Sequence, residues 1–213
     1  MVVPKEITFL CKLGREYYKK GWLPATAGNF SFRENEEFLW ITASGLDKGN
    51  LTPKDFLKIS ICDGNPVFPS PLVQKPSAET GIHRAIYRQI PEANAVLHVH
   101  NPDSLKIRPG LTRENPFALW TVPPTELVKA FGFWEENPVA YLPVVYNYSE
   151  IEKIAHTLES AFQTQDRKRW IPAVLVENHG PSVWGKDILS AQRNLEALEY
   201  ILRVSHYYGT RYI

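Results

Sequence analysis

The apolar positions along the chain follow two rhythms. Ile7, Leu10, Cys11 and Tyr18 recur at helical spacings behind Pro4, a residue that suits a first helical position, so residues 4–20 are predicted as a helix. "GWLPATAGNFSFR" then breaks the pattern with Gly and Pro. Short runs at Asn29–Arg33, Phe38–Ile41 and Leu57–Ile61 predict strands, and "CDGNP" after the third predicts a hairpin turn. Ser77 is placed to cap a helix running to Gln89, with Glu79 in its positive first turn. Ala95–His100, Val139–Val145 and Ala173–Glu177 read as further strands. Ser149 is placed to cap a helix over 150–163, with Ile151, Ile154, Leu158 and Phe162 on one face. Asp187 is placed to cap a longer one, with Ile188, Ala191, Leu195, Leu198 and Leu202 as its stripe. Repeats, linkers and low-complexity tracts are absent from the pattern. Helices and strands interleave without a strict βαβ rhythm. The expected fold is one α/β domain over residues 1–213, with a mainly antiparallel or mixed central sheet covered by helices.

Composition narrows the class of function. With 44% hydrophobic and 22% charged residues and a net charge of +1, nothing suggests a nucleic-acid or membrane electrostatic surface. No apolar stretch approaches a transmembrane span. "MVVPKEITFLCKLG" carries charges inside its apolar pattern, unlike a signal peptide. Cys11 and Cys62 are far apart and fit neither a disulfide framework nor a metal spacing. The expected setting is the reducing cytoplasm.

Candidate chemistry begins at "AVLHVHNPDS". Positions i and i+2 of a strand point the same way, roughly 6–7 Å apart, so His98 and His100 can reach one ion. "AVLVENHGPSVWG" puts His179 just after another apolar strand, followed at once by Gly180. If the two strands share a sheet, three imidazoles converge and leave an open coordination position, the arrangement of a catalytic zinc. His83, His156 and His206 are expected in structural or surface roles.

Three turns rich in Gly and hydroxyls, "TAGNFS", "TASGLDKG" and "KPSAE", can expose backbone N–H groups to a phosphate, helped by Lys48. The aromatics of 117–134 (Phe117, Trp120, Phe131, Phe133 and Trp134) are expected mostly in core or interface packing, with a seat for an apolar substrate tail as the alternative.

From about Ile7 to Tyr207 the chain resembles the class II aldolase/adducin family. The likeness is carried by "GWLPATAGNFSFR", "ITASGLDKG", "KPSAETGIHRAIYR", "AVLHVH", "TELVKAF", "ENHGPSVWG" and "AQRNLEALEYIL". "ITASGLDKG" and "PSAETGIH" pull it toward the family's dehydratase branch. The resemblance implies a zinc held by His98, His100 and His179, and a homotetramer. It also implies dehydration of a phosphorylated methylthio-ketose in methionine salvage. Asn29, Ser44, Gly45 and Ser77 match the family's phosphate-binding turns. Glu79 falls where aldolase members keep an acid/base carboxylate, and Glu126 where dehydratases carry theirs. The segment after His100 departs from the family pattern, with prolines at 102, 109, 116, 123 and 124. Alternatives are a sugar-phosphate aldolase or epimerase, or an adducin-like interaction module without catalysis.

Overall fold

The computed structural model describes residues 4–67, 74–208 and 212. Among these residues four α-helices, α1 (Lys5–Lys19), α2 (Thr80–Gln89), α3 (Ile151–Thr164) and α4 (Ile188–Val204), pack on eight strands. The strands are β1 (Asn29–Arg33), β2 (Phe38–Thr42), β3 (Phe56–Ser60), β4 (Ala95–His98), β5 (Phe117–Thr121), β6 (Tyr141–Val145), β7 (Ala173–Val176) and β8 (Gly180–Gly185). They form one sheet in the order β3-β2-β1-β4-β8-β7-β6-β5. The β6–β7 pair is parallel and the others are antiparallel, so the sheet is mixed.

Both faces of the sheet are covered, which explains why its central strands read as unbroken apolar runs. On one side Leu10 and Leu13 of α1 and Leu195 and Leu198 of α4 pack on Phe30, Leu97 and Leu175. On the other, Ile82 and Ile86 of α2 and Ile154 and Leu158 of α3 pack on Leu39, Ile41, Val96 and Val174. Strand alternation decides the face. His98 has the parity of Val96 and therefore looks toward the α2 layer.

Several expectations need local correction. The strand from Ala95 ends at His98 rather than His100, because the Val99 and His100 amides turn to Pro181 O (3.2 Å) and Trp22 O (2.9 Å). Ser149 does not cap α3, whose N-cap is Glu150 without a side-chain bond. Ser77 does not cap α2. Its Oγ accepts from the Glu79 amide at 3.3 Å, and Glu79 itself is the N-cap. The Asp187 cap holds, its carboxylate accepting from the Ser190 amide at 2.7 Å, and the whole predicted α4 stripe is buried. The turn after β3 reverses the chain as expected, and among the described residues the return limb pairs with β3 through a bridge at Pro66 and the Val67 amide, which donates to Lys58 O at 2.9 Å. The apolar pattern predicts neither β5 nor β8. Cys11 is buried and Cys62 exposed, both as free thiols. Among the described residues no helix is long and apolar enough to cross a membrane.

Candidate metal centre and substrate cleft

His98, His100 and His179 come together at one end of the central strands, and Glu79 joins them from the start of α2. β4 and β7 do share a sheet, but β8 lies between them. His179 reaches the site because the turn 177–179 leads from β7 into β8, the neighbour of β4. That turn needs two permissive residues. Asn178 has φ +57°, a left-handed conformation Asn tolerates better than most. Gly180 lies so close to the chain beyond β4 that a Cβ would sit 2.0 Å from Val99 O.

The donor atoms face one another. His98 Nε2 is 3.0 Å from His100 Nε2, which is 3.1 Å from His179 Nε2. Glu79 Oε2 lies 3.2 Å from His98 Nε2, and Oε1 lies 2.6 Å from His179 Nε2 and 3.8 Å from His100 Nε2. Behind the cluster, His98 Nδ1 donates to Pro181 O at 3.0 Å, with Ser182 Oγ at 3.1 Å. That bond assigns the proton to Nδ1 and leaves the Nε2 lone pair pointing into the cluster, the usual support for a metal-ligating imidazole. Nitrogen ligands about 2.05 Å from a tetrahedral ion stand about 3.3 Å apart, so this spacing and donor set suit a divalent metal.

Electrostatics point the same way. Burial alone would raise the Glu79 carboxyl, but the electrostatic pull of the His98, His100 and His179 imidazoles around it outweighs that and holds the group well below the usual carboxylate range. Burial lowers the pKa of His100, against the pull of Glu79, which favours the neutral imidazole that a metal requires. His83 is fully buried, its Nδ1 2.6 Å from Ser31 Oγ, and desolvation pushes it down to about 3. His156 and His206 are exposed, as expected for surface roles.

A cleft of about 420 Å³ opens beside the cluster. Glu79 and His100 form one wall, and Asn29, Ser44, Gly45, Lys48 and Ser77 line the rest, so three turns that are distant in sequence become one surface. Asn29 pairs with His98 across β1–β4 and its amide donates to Glu79 Oε2, while its Oδ1 is buried with no partner among the described residues. Lys48 is only 1% exposed, and its ammonium donates to Thr26 O (2.9 Å) and Leu46 O (2.7 Å). It therefore staples the first two turns together while adding positive charge at the cleft. Desolvation lowers its pKa, opposed by Glu79 and Asp47. Ser149, expected as a helix cap, lines the cleft instead; its place after an apolar strand was the only hint in the sequence.

Glu126 is not brought to this cleft within its own chain. It opens a 3-10 segment (Glu126–Phe131), is 78% exposed, and pairs with Lys129 at 2.7 Å. It borders a separate groove of about 660 Å³ with Thr125, Tyr200, Tyr207 and Tyr208. Of the nearby aromatics, Trp120 and Phe133 are core residues, whereas Trp134 is exposed.

The Class II Aldolase and Adducin N-terminal domain family matches residues 9–206. The chain belongs to the class II aldolase and adducin family. Methylthioribulose-1-phosphate dehydratase of Leptospira interrogans is 42% identical over 208 residues, 95% of this chain and 83% of that protein. The enzyme of the same name from Leptospira biflexa is 41% identical over 202 residues, 94% of each chain. Among solved structures, the Klebsiella pneumoniae protein YgbL superposes with a TM-score of 0.76 at 25% identity, covering 98% of this chain and 92% of that one. L-fuculose-1-phosphate aldolase from Thermus thermophilus superposes with a TM-score of 0.69 at 23% identity, covering 95% and 93%, and shows the shared fold.

Proposed function

We propose that this chain is a zinc-dependent dehydratase of methionine salvage. It would convert 5-methylthioribulose 1-phosphate to 2,3-diketo-5-methylthiopentyl 1-phosphate. The observation that carries the reading is the His98–His100–His179–Glu79 cluster opening onto a cleft of hydroxyl-bearing turns. The dehydratases at 41–42% identity supply the substrate.

The net reaction removes the C3 proton and the C4 hydroxyl as water, and the resulting enol tautomerises to the diketone. A zinc held by the three histidines supplies Lewis acidity toward the C2 carbonyl. Ser44, Gly45, Ser77 and Asn29 hold the phosphate, at the positive N-terminal end of α2 and near the Lys48 charge. That anchorage fixes C2 and C3 relative to the carboxylates. Glu79, ionised and at the cleft wall, is positioned to hold or move a proton at C3. Glu126 is the proton donor to the departing C4 hydroxyl. Because it lies outside the cleft of its own chain, this role needs a second copy to carry it in, and we take the working unit to be a homotetramer of 1–213 domains in the cytoplasm.

Product analysis tests the reading. The purified chain with zinc, given 5-methylthioribulose 1-phosphate, should release the diketone, with little turnover of fuculose or ribulose phosphates. Aldol cleavage of those sugars in its place would favour the aldolase alternative. A metal-free preparation that releases the diketone at the full rate would end the zinc reading while keeping the dehydratase one.

A further inference from the structure

The proline-rich stretch after His100 has no role in the chemistry above, yet it is tied down by a buried acid. Glu177 is 5% exposed and stands two residues before His179. Its amide donates to Val145 O at 2.9 Å, which fixes the end of β7 against β6. Among the described residues its carboxylate makes no salt bridge, and main-chain amides satisfy it instead. Oε1 accepts from the Gly110 amide at 2.9 Å and Oε2 from the Leu111 amide at 3.2 Å. Gly110 turns the chain there with φ +73°. Two further ties hold the same stretch. Asn101, directly after His100, donates to buried Glu199, and Arg113 O accepts from Tyr148 Oη at 3.2 Å, next to cleft-lining Ser149.

We propose that Glu177 is a positioning residue for the metal centre. Its carboxylate clamps the 107–115 segment onto the three-residue turn that presents His179, and so sets how firmly the histidines hold a divalent metal. The inference rests on the metal reading above. Charge-assisted bonds to main-chain amides are strong, and loss of the acceptor leaves two N–H groups unsatisfied, one of them buried. The turn also holds Asn178 at φ +57°, so the direction in which the chain enters His179 depends on this one left-handed residue being kept in place. Released from the clamp, the turn can relax, and His179 moves with it because no flexible chain intervenes.

The test is zinc affinity of the metal-free full chain, by competition with a chromophoric chelator, for wild type, Glu177→Gln and Glu177→Ala. Thermal unfolding of the metal-free forms is followed in parallel. Loss of a group that orients a metal ligand weakens metal binding by roughly 10–100-fold. Glu177→Ala should fall in that range, and Glu177→Gln, which keeps one acceptor oxygen, should lie between it and wild type. In wild type, hydrogen exchange at the Gly110 and Leu111 amides should slow when zinc is added. Variants that bind zinc as wild type does, with only their unfolding midpoint lowered, overturn the role of Glu177 alone. If Glu177→Ala does not fold, an unimpaired Glu177→Gln together with zinc-insensitive exchange overturns it equally. A wild type that binds no zinc overturns the metal reading and this inference with it.

Discussion

Replacing Gly180 by alanine probes the contact that spaces His179 from His100. The new Cβ would lie 2.0 Å from Val99 O, 3.1 Å from Val99 C and 3.3 Å from His100 Cα. All three are backbone atoms, so no side chain can rotate away. Relief requires the start of β8 and the chain beyond β4 to separate by about 1 Å or more, since non-bonded atoms settle near 3.5 Å. Overpacking of this kind costs about 1–3 kcal/mol. In a domain of this size each kcal/mol moves the unfolding midpoint by about 2–4 °C, so a fall of about 2–12 °C is expected. The same separation pulls His179 from His100, whose Nε2 atoms are 3.1 Å apart, and metal sites tolerate errors of only about 0.2 Å. Zinc content should therefore drop with stability. Gly21→Ala is the control. Gly21 has φ +75° with nothing within 4 Å of an added Cβ, so it should lose stability through backbone strain but keep its metal. Thermal unfolding and elemental analysis read both effects. A Gly180→Ala protein with wild-type midpoint and zinc content would show that this close approach does not set the ligand spacing.

Other perturbations separate the remaining roles. Glu126→Gln should lower kcat by roughly 10²–10⁴-fold with zinc content unchanged, the typical worth of a general acid or base. Glu79→Gln should cost less through proton transfer but also weaken metal binding; a normal kcat for Glu126→Gln beside an inactive Glu79→Gln would assign both proton transfers to Glu79. Glu199 gives a pH signature. Burial, with Asp103 adding, pushes its carboxyl up to about 9 from 4.5, so the folded state holds this proton more tightly than the unfolded chain. Its contribution is full below the unfolded value and is lost as pH rises toward 9. Glu199→Gln keeps an acceptor for Asn101 and cannot ionise, so its denaturation midpoint should exceed wild type at pH 8–9 and approach it near pH 5. Parallel pH profiles for the two proteins would refute a neutral Glu199.

The sequence by itself determined most of the elements and the identity of the metal-ligand candidates. Helix stripes such as Ile188–Leu202 and the apolar run Ala95–His98 are local patterns, and local periodicity reports which face must be buried. The HxH spacing and the "NHG" turn are local too, since a strand fixes the direction of i and i+2, and the left-handed and close-approach positions demand Asn178 and Gly180. What sequence could not supply were strand neighbours and distances across the chain. β8, rich in Gly, Pro and Ser, carries no strong pattern of its own, yet its insertion between β4 and β7 is what brings His179 to His100. Ser77 and Ser149 had the local chemistry of helix caps, but tertiary packing turned both toward the cleft. Glu79 looked like a partner for a helix dipole, and its engagement with three imidazoles follows only from the strand parity that points His98 at the start of α2. The same holds for Lys48 and Glu177: a side chain's type is written in the sequence, but whether its charge meets solvent, a backbone carbonyl or a buried amide depends on chain segments folded against it from far away.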